Sequence, residues 1–164
     1  MKYTKDKYVW GLLRLFLGWI FFWAFIDKLF GLGFNTAADK SWLAGASPTL
    51  GFLKFATKGP LAGLYQAMAG SVVVDWLFML GLGLIGLARL LGVGVKIAGY
   101  SGIALMALMY TAASIWPEHN PFLDEHLVYA AILLGLVFVD AGKYWGLGEW
   151  WGNTKLVQKY SVLK

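Results

Sequence analysis

The side chains of this chain that could do chemistry are gathered at two levels of a largely apolar sequence. His119 and His126 lie seven residues apart in EHNPFLDEH, beside Glu118, Asp124 and Glu125. Histidine normally titrates near neutral pH, so both are candidates for proton transfer. The cluster could bind a metal, or its carboxylates could be first-turn acids facing the positive end of a helix dipole. Because the spacing matches no recognised ligand motif, we predict no metal site.

The same level of the sequence contains a charged doublet and a lone carboxylate. Asp27 and Lys28 end the first apolar run, and Asp75 lies one turn inside the second. We expect Asp75 to meet Lys28 or His126, since such a pair over an aromatic-lined cavity could bind and protonate a small ligand. Lys28, Asp75, His126 and His119 are therefore the predicted catalytic residues.

The other level contains Arg14, Arg89 and Asp140. A buried guanidinium without partners is costly, and a carboxylate that accepts two hydrogen bonds is its natural partner. We predict a structural ion pair between Arg14 and Asp140, with Arg89 competing for the carboxylate. The functional alternative is that these arginines bind an acidic ligand or lipid headgroup from the cytoplasmic side.

Aromatic residues accompany both levels. Trp19, Trp23, Trp76 and Tyr129 could line a slot for a flat hydrophobic cofactor such as a quinone. The alternative is that such residues form lipid-facing belts or ordinary packing.

The composition indicates a membrane protein. Of 164 residues, 59% are hydrophobic and only 14% are charged, and the mean hydropathy is +0.63, whereas a soluble domain is about one quarter charged. The absence of cysteine excludes disulfides, thiolate metal sites and iron–sulfur clusters, and no haem or flavin motif is present. The net charge of +5 fits membrane topology and anionic lipid, so nucleic acid is not an expected partner.

Four apolar segments reach the length of a spanning helix. We predict an all-α, four-transmembrane-helix bundle as a single domain over residues 1–164. The predicted helices cover residues 8–30, 72–91, 97–116 and 122–139, with an outer lid at 31–71 and a cytoplasmic tail at 141–164. The first helix is expected to be retained, because no small-residue cleavage site follows it. In the lid, Ser47 followed by Pro48 predicts the start of the first of two short amphipathic or re-entrant helices.

The distribution of basic residues predicts the orientation. Ten of the fourteen Lys and Arg residues lie in the N-terminal segment, the connection between the second and third helices, and the tail. The other side keeps four, together with six of the nine acids. Both termini are therefore expected in the cytoplasm of a multi-pass protein of the cell membrane.

Several motifs together resemble the DoxX/DoxD family of small four-helix membrane proteins. These motifs are RLFLGWIFFWAFIDKLFGLG, SWLAGASPT, VVDWLFMLGLGLIGLARL and NPFLDEHLVYAAILLGLV. Members of this family are often described as the membrane subunit of thiosulfate:quinone oxidoreductase, and relatives hold partner proteins. The resemblance marks Arg14, Gly18, Asp27, Lys28, Asp75, Asn120 and His126 as family-pattern positions, without giving them catalytic roles.

Two functions follow as expectations. In the first, Lys28 with protonated His119 or His126 would bind a small sulfur anion at the outer face, and electrons would pass to a non-covalently bound quinone. The chain has no electron-carrying motif of its own, so a second subunit or a homo-oligomer is expected with the lipid bilayer. In the second, the outer pocket recognises a partner protein or lipid without catalysis.

Overall fold

The computed structural model describes residues 5–115, 117 and 120–164, and every regular element in these residues is helical. Three helices are long and apolar enough to cross a membrane, namely Lys5–Phe30, Val72–Leu91 and Val95–Ala113. The α-helices are α1 (Lys5–Phe30), α2 (Ala62–Ala67), α3 (Val72–Leu91), α4 (Val95–Met109), α5 (Glu125–Phe138), α6 (Gly148–Gly152) and α7 (Lys155–Lys159). A π-helical turn, Tyr110–Ser114, extends α4. The all-helical prediction is thus confirmed, as are three of the four predicted apolar spans.

Local capping explains where the helices end. The predicted bounds of α3 are confirmed, because Gly92 adopts a left-handed φ of 75° and its N–H donates to the Ala88 carbonyl. The prediction for α5 was too long by a few residues. Asp124 has extended backbone and its carboxylate accepts from the Leu127 N–H, so the helix starts after it. With 14 residues, α5 is about 21 Å long.

Glycines bring α1 and α3 into close contact. A Cβ on Gly86 would lie 2.7 Å from the Cα of Phe22, and one on Gly18 would lie 2.9 Å from the Leu90 nitrogen. Small residues at such crossings let helix backbones approach, which is a common basis of association in lipid. The buried core includes Leu17, Phe21, Leu82, Ile85, Met106, Leu133, Leu136 and Ala141, from α1, α3, α4, α5 and the turn that follows.

The segment 31–71, which we call the lid, has structure of its own. It contains a π-helical turn, Phe52–Ala56, and the short helix α2. The Ser47 hydroxyl accepts from the Leu50 N–H at 3.1 Å, so Ser47 caps the turn that leads into this π-helical turn. The Lys58 N–H donates to the Ala112 carbonyl at 2.9 Å, so the lid is hydrogen-bonded to the end of α4. We call this side of the molecule the lid end.

The segment 140–164, which we call the tail, is docked on the opposite end of the helices. The Lys96 N–H donates to the Lys164 carbonyl and the Leu147 N–H donates to the Leu91 carbonyl, both at 2.8 Å. The Trp151 indole donates to the Leu163 carbonyl at 2.6 Å. These bonds fix the tail to the start of α4 and the end of α3. We call this side the tail end.

Candidate functional site

Asp75 holds the lid. Its carboxylate accepts hydrogen bonds from the Ser47 hydroxyl at 2.8 Å, the Thr49 hydroxyl at 2.5 Å and the Thr49 N–H at 3.2 Å. The prediction that Asp75 pairs with Lys28 or His126 was wrong. A buried carboxylate in the first turn of α3 needs donors, and the polar start of the lid helix provides three within reach.

Asp27 has a similar role at the beginning of the lid. Its carboxylate is 2% exposed and accepts from the N–H groups of Phe34 at 3.2 Å and Asn35 at 2.9 Å. These bonds shape the turn that follows α1. Both lid-end carboxylates are therefore bound by neutral donors.

A cavity of about 380 Å³ lies between the lid, α3 and α4. Its lining residues include Lys28, Thr49, Phe52, Leu53, Tyr65, Met68, Leu77, Phe78, Leu105 and Met109. Within the described parts of the chain, Lys28 is the one charged residue among those that line it. We call this space the lid cavity. Most of its wall is apolar, and the partly buried Lys28 ammonium is its strongest hydrogen-bond donor.

A pair of hydroxyls lies at the wall formed by the lid and the end of α4. Tyr65 lines the cavity, and its hydroxyl is 2.6 Å from the Thr111 hydroxyl. The Thr111 hydroxyl also donates back to the carbonyl of Ala107 at 2.9 Å. Since Thr111 has one proton to give, Tyr65 is the donor of the pair in this arrangement. Two π-helical turns, Phe52–Ala56 and Tyr110–Ser114, meet here, and π-helical geometry is frequent at functional sites.

His126 lies outside the lining of the lid cavity as the structure describes it. Its Nδ1 is 2.6 Å from Asp124 Oδ2, and Asp124 Oδ1 accepts from the Leu127 N–H at 3.2 Å. His119 lies outside the described residues. Asp124, Glu125 and His126 have ligand atoms within 4.8 Å of one another, but Asp124 is already used as the cap of α5. The cap contact of Asp124 is the one expected of an acidic residue at the positive end of a helix dipole.

The family-pattern residue Asn120 has a local role in the same turn. Its side-chain oxygen accepts from the N–H groups of Phe122 and Leu123, both at 3.2 Å. This is the turn-forming use that short amide side chains commonly have.

The four aromatic residues predicted to hold a flat cofactor do not line the lid cavity in the described structure. Trp19 and Trp23 stack on each other with ring centroids 5.4 Å apart, and Trp76 meets Trp42 edge-on at 4.7 Å. Trp19 and Trp76 are about half exposed on the outside of the helices, which fits a lipid-facing belt. Tyr129 packs against the helical core. The aromatic walls of the cavity are instead Phe52, Tyr65 and Phe78.

At the tail end, Arg14 is fully buried, and its guanidinium is enclosed by backbone carbonyls. It donates to Arg89 and, at 3.0 Å, to Leu90 at the end of α3. It also donates to Tyr144 at 3.0 Å and Trp145 at 3.2 Å in the tail. Arg14 therefore caps α3 and binds the tail, because the last carbonyls of a helix have no partner within it.

The predicted ion pair between Arg14 and Asp140 was wrong. Asp140 Oδ2 is 2.6 Å from the Lys143 ammonium and 3.0 Å from that of Lys164. Partial burial alone would raise the pKa of Asp140, but hydrogen bonds from these two ammonium groups outweigh it and hold the pKa below its usual value. The hydrogen bond to Asp140 raises the pKa of Lys143. Two flexible lysines near the end of α5 reach the carboxylate more easily than an arginine held by four carbonyls.

Arg89 did not become the competitor for Asp140 either. It is fully buried, and none of its three side-chain nitrogens has a hydrogen-bond partner among the described residues. Its guanidinium lies close enough to that of Arg14 for the two charges to repel each other. An unpaired buried cation is unusual, since the cost of desolvating it is high.

The hydroxyl residues of the site were not predicted. Its polar contacts are made by Ser47, Thr49 and Tyr65 of the lid and by Thr111 of the turn that extends α4. The only available signal was the SPT start of a lid helix, which indicates capping but does not identify the carboxylate it meets. No family model matches the chain, and no curated protein or solved structure matches it.

Proposed function

We propose that the chain is a four-span membrane protein of the DoxX/DoxD type, with α5 as the fourth span and both termini in the cytoplasm. The basic residues concentrated at the tail end support this orientation. The exposed apolar side chains along α1, α3 and α4 support burial in lipid. The lid then lies on the outer face of the cell membrane.

Within this membrane protein, we propose that the lid cavity binds a membrane quinone, as the quinone-binding subunit of a sulfur-anion:quinone oxidoreductase. The observation that carries the proposal is the pairing of an apolar, partly aromatic wall with the ammonium of Lys28. A quinone head is a flat apolar ring whose carbonyl oxygens accept hydrogen bonds. Lys28 would donate to one of them, while Phe52 and Phe78 contact the ring.

The sulfur anion that donates electrons is assigned to a site outside the lid cavity. Thiosulfate carries two negative charges. The free energy needed to bury such an ion in a mostly apolar cavity exceeds what its attraction to one ammonium group provides. Its oxidation is therefore proposed to occur on a second subunit at the outer face, where two thiosulfate ions join through a sulfur–sulfur bond and release two electrons. These electrons reduce the quinone in the lid cavity to the quinol, which takes two protons from water.

Lys28→Met is the variant that tests the quinone site. The purified protein is titrated with a short-chain quinone, and co-purified quinone is extracted and quantified. A hydrogen bond to a charged group contributes about 1.5–3 kcal/mol, so we expect quinone affinity to fall about tenfold or more. Lys54→Met is the matched control, because Lys54 is an exposed lid lysine outside the cavity.

The same preparations are assayed for thiosulfate-dependent quinone reduction, with and without co-purifying proteins. Quinone bound by the wild-type chain, with turnover only when a second protein is present, supports the proposal in full. An absence of bound quinone together with an absence of turnover in both samples would refute it.

A second candidate function, a non-catalytic assembly module, is favoured by the outer surface of the lid. Phe34, Leu43 and Phe55 are 70%, 66% and 78% exposed, and side chains of this kind are suited to contact with a partner protein or the membrane surface. Replacing all three by Ser tests this function. Loss of a stoichiometric partner with quinone binding intact would assign the lid surface to assembly, whereas unchanged partner recovery would exclude it.

A further inference from the structure

A second cavity, of about 310 Å³, lies at the tail end between the start of α4 and the end of α5. It is lined by Val95, Lys96, Tyr100, Val137, Asp140 and Lys164, with Phe138 beside them. We call it the tail groove. It is at the opposite end of α4 from the lid cavity, and the quinone proposal does not use it.

The tail groove combines positive charge with an apolar border. Lys143 and Lys164 both contact the carboxylate of Asp140, and the charge of Glu149 also acts on Lys143. Lys96 lines the groove as well and adds a positive charge there. Phe138 is 73% exposed and Tyr100 is 51% exposed, so the groove has apolar surface beside its cations.

Arg89 adds a further positive charge behind the groove wall. A Cβ placed on Gly99 would touch both the guanidinium of Arg89 and the side chain of Val137, and Val137 lines the groove. The guanidinium is thus about one side chain away from the groove. Since it has no hydrogen-bond partner in the described structure, its field is not neutralised locally, and fields are strong in a poorly solvated interior.

We propose that the tail groove binds a phosphate group, most simply that of an anionic phospholipid. Lys96 and Lys164 would contact the phosphate, Arg89 would contribute through its field, and the acyl chains would lie along Phe138 and Tyr100. Basic pockets between helices at the membrane interface are suited to such headgroups. The proposal needs the chain to lie in a membrane, but it does not depend on quinone binding.

Native mass spectrometry in mild detergent tests this site, with phosphatidylglycerol and phosphatidylcholine as probes. A basic residue near an anionic lipid surface contributes about 1 kcal/mol, so Lys96→Gln should weaken phosphatidylglycerol binding about fivefold. Lys155→Gln is the charge-matched control, because Lys155 is exposed at the same end and lies outside the groove. It should leave binding unchanged.

Two further arms make the test decisive. Arg89→Met should weaken phosphatidylglycerol binding by a smaller factor, without lowering the thermal melting temperature as a lost ion pair would. Competition with inorganic phosphate and glycerol 1-phosphate distinguishes the sources of the phosphate group. Displacement at millimolar concentration assigns the site to soluble phosphates, and an absence of displacement assigns it to lipid.

Equal binding of the two lipids by the wild-type protein would overturn the proposal, as would equal losses in Lys96→Gln and Lys155→Gln. Since the quinone titration of the wild-type chain is measured separately, failure of the groove site and failure of the lid cavity are distinguishable.

Discussion

The two ends of the molecule bury charge in opposite ways. At the lid end, the carboxylates of Asp27 and Asp75 accept hydrogen bonds from neutral N–H and hydroxyl groups. At the tail end, Arg14 donates to neutral carbonyls, and Arg89 has no partner among the described residues. Three of these four buried charges thus have neutral polar groups as partners, many of them in the backbone. Helix ends and turns supply such groups, so formal charge matching is a poor guide to partners here.

This difference suits the two ends to different proposed ligands. At the lid end the buried carboxylates of Asp27 and Asp75 are hydrogen-bonded, and they fix a lid over an apolar cavity. At the tail end an unneutralised positive field remains beside a groove. We therefore expect an uncharged ring at one end and an anion at the other. The predictions below test the contrast.

The largest effect is expected for Arg14→Met. Each buried polar group left without a partner costs about 1–3 kcal/mol, and this change leaves four carbonyls without their guanidinium. We expect a large loss of thermal stability and release of the tail, measured by melting in detergent and by proteolysis within 140–164. If this variant melts like the wild type, the hydrogen bonds from Arg14 to the four carbonyls do not stabilise the fold.

Asp75→Ala should have a smaller and more local effect. Hydrogen bonds to a charged group contribute about 1.5–3 kcal/mol each, but those of Asp75 join the lid to α3 and leave the helix core untouched. Hydrogen exchange should accelerate in the segment 47–58, with little change in the tail. Asp39→Ala, an exposed lid carboxylate, serves as the control. Uniform acceleration across the chain would instead place Asp75 in the global core.

The sites of Arg14 and Asp75 also show what the sequence could predict. Apolar length and the glycine cap at Gly92 are local properties, so the all-helical fold and the bounds of α3 were predictable. The partners of Arg14 and Asp75 were not, because they depend on carbonyl and hydroxyl groups brought together by tertiary packing. Nor could the sequence show that the cavity wall uses Phe52 and Tyr65 in place of Trp19 and Trp76.

Arg89→Met should have a small effect of the opposite sign to Arg14→Met. The two arginines are equally buried, and the substitution is the same. Because the Arg89 guanidinium has no hydrogen-bond partner in the described structure, removing it ends a desolvation cost and its repulsion by Arg14. The melting temperature should stay unchanged or rise. A loss as large as that of Arg14→Met would show that Arg89 has a partner in the folded protein and would remove the contrast.

The smallest effect is expected for the stability that the Asp140 carboxylate at the groove contributes, and for its loss in acid. Its pKa is lower in the folded protein, because the Lys143 and Lys164 ammonium groups outweigh the effect of burial. A lowered pKa means that the carboxylate stabilises the fold fully above its unfolded pKa of about 3.9. This contribution is lost as the pH falls through the lower folded value.

Melting of the wild type and Asp140→Asn between pH 7 and pH 2 isolates that contribution, since the other acids titrate in both proteins. The melting curves should differ most at neutral pH and converge below pH 4, with the difference reduced by salt because the cluster is partly exposed. A difference that is constant with pH would mean that the ion pairs do not hold the tail. The positive charge available at the tail groove would then have to come from Lys96 and Arg89 alone.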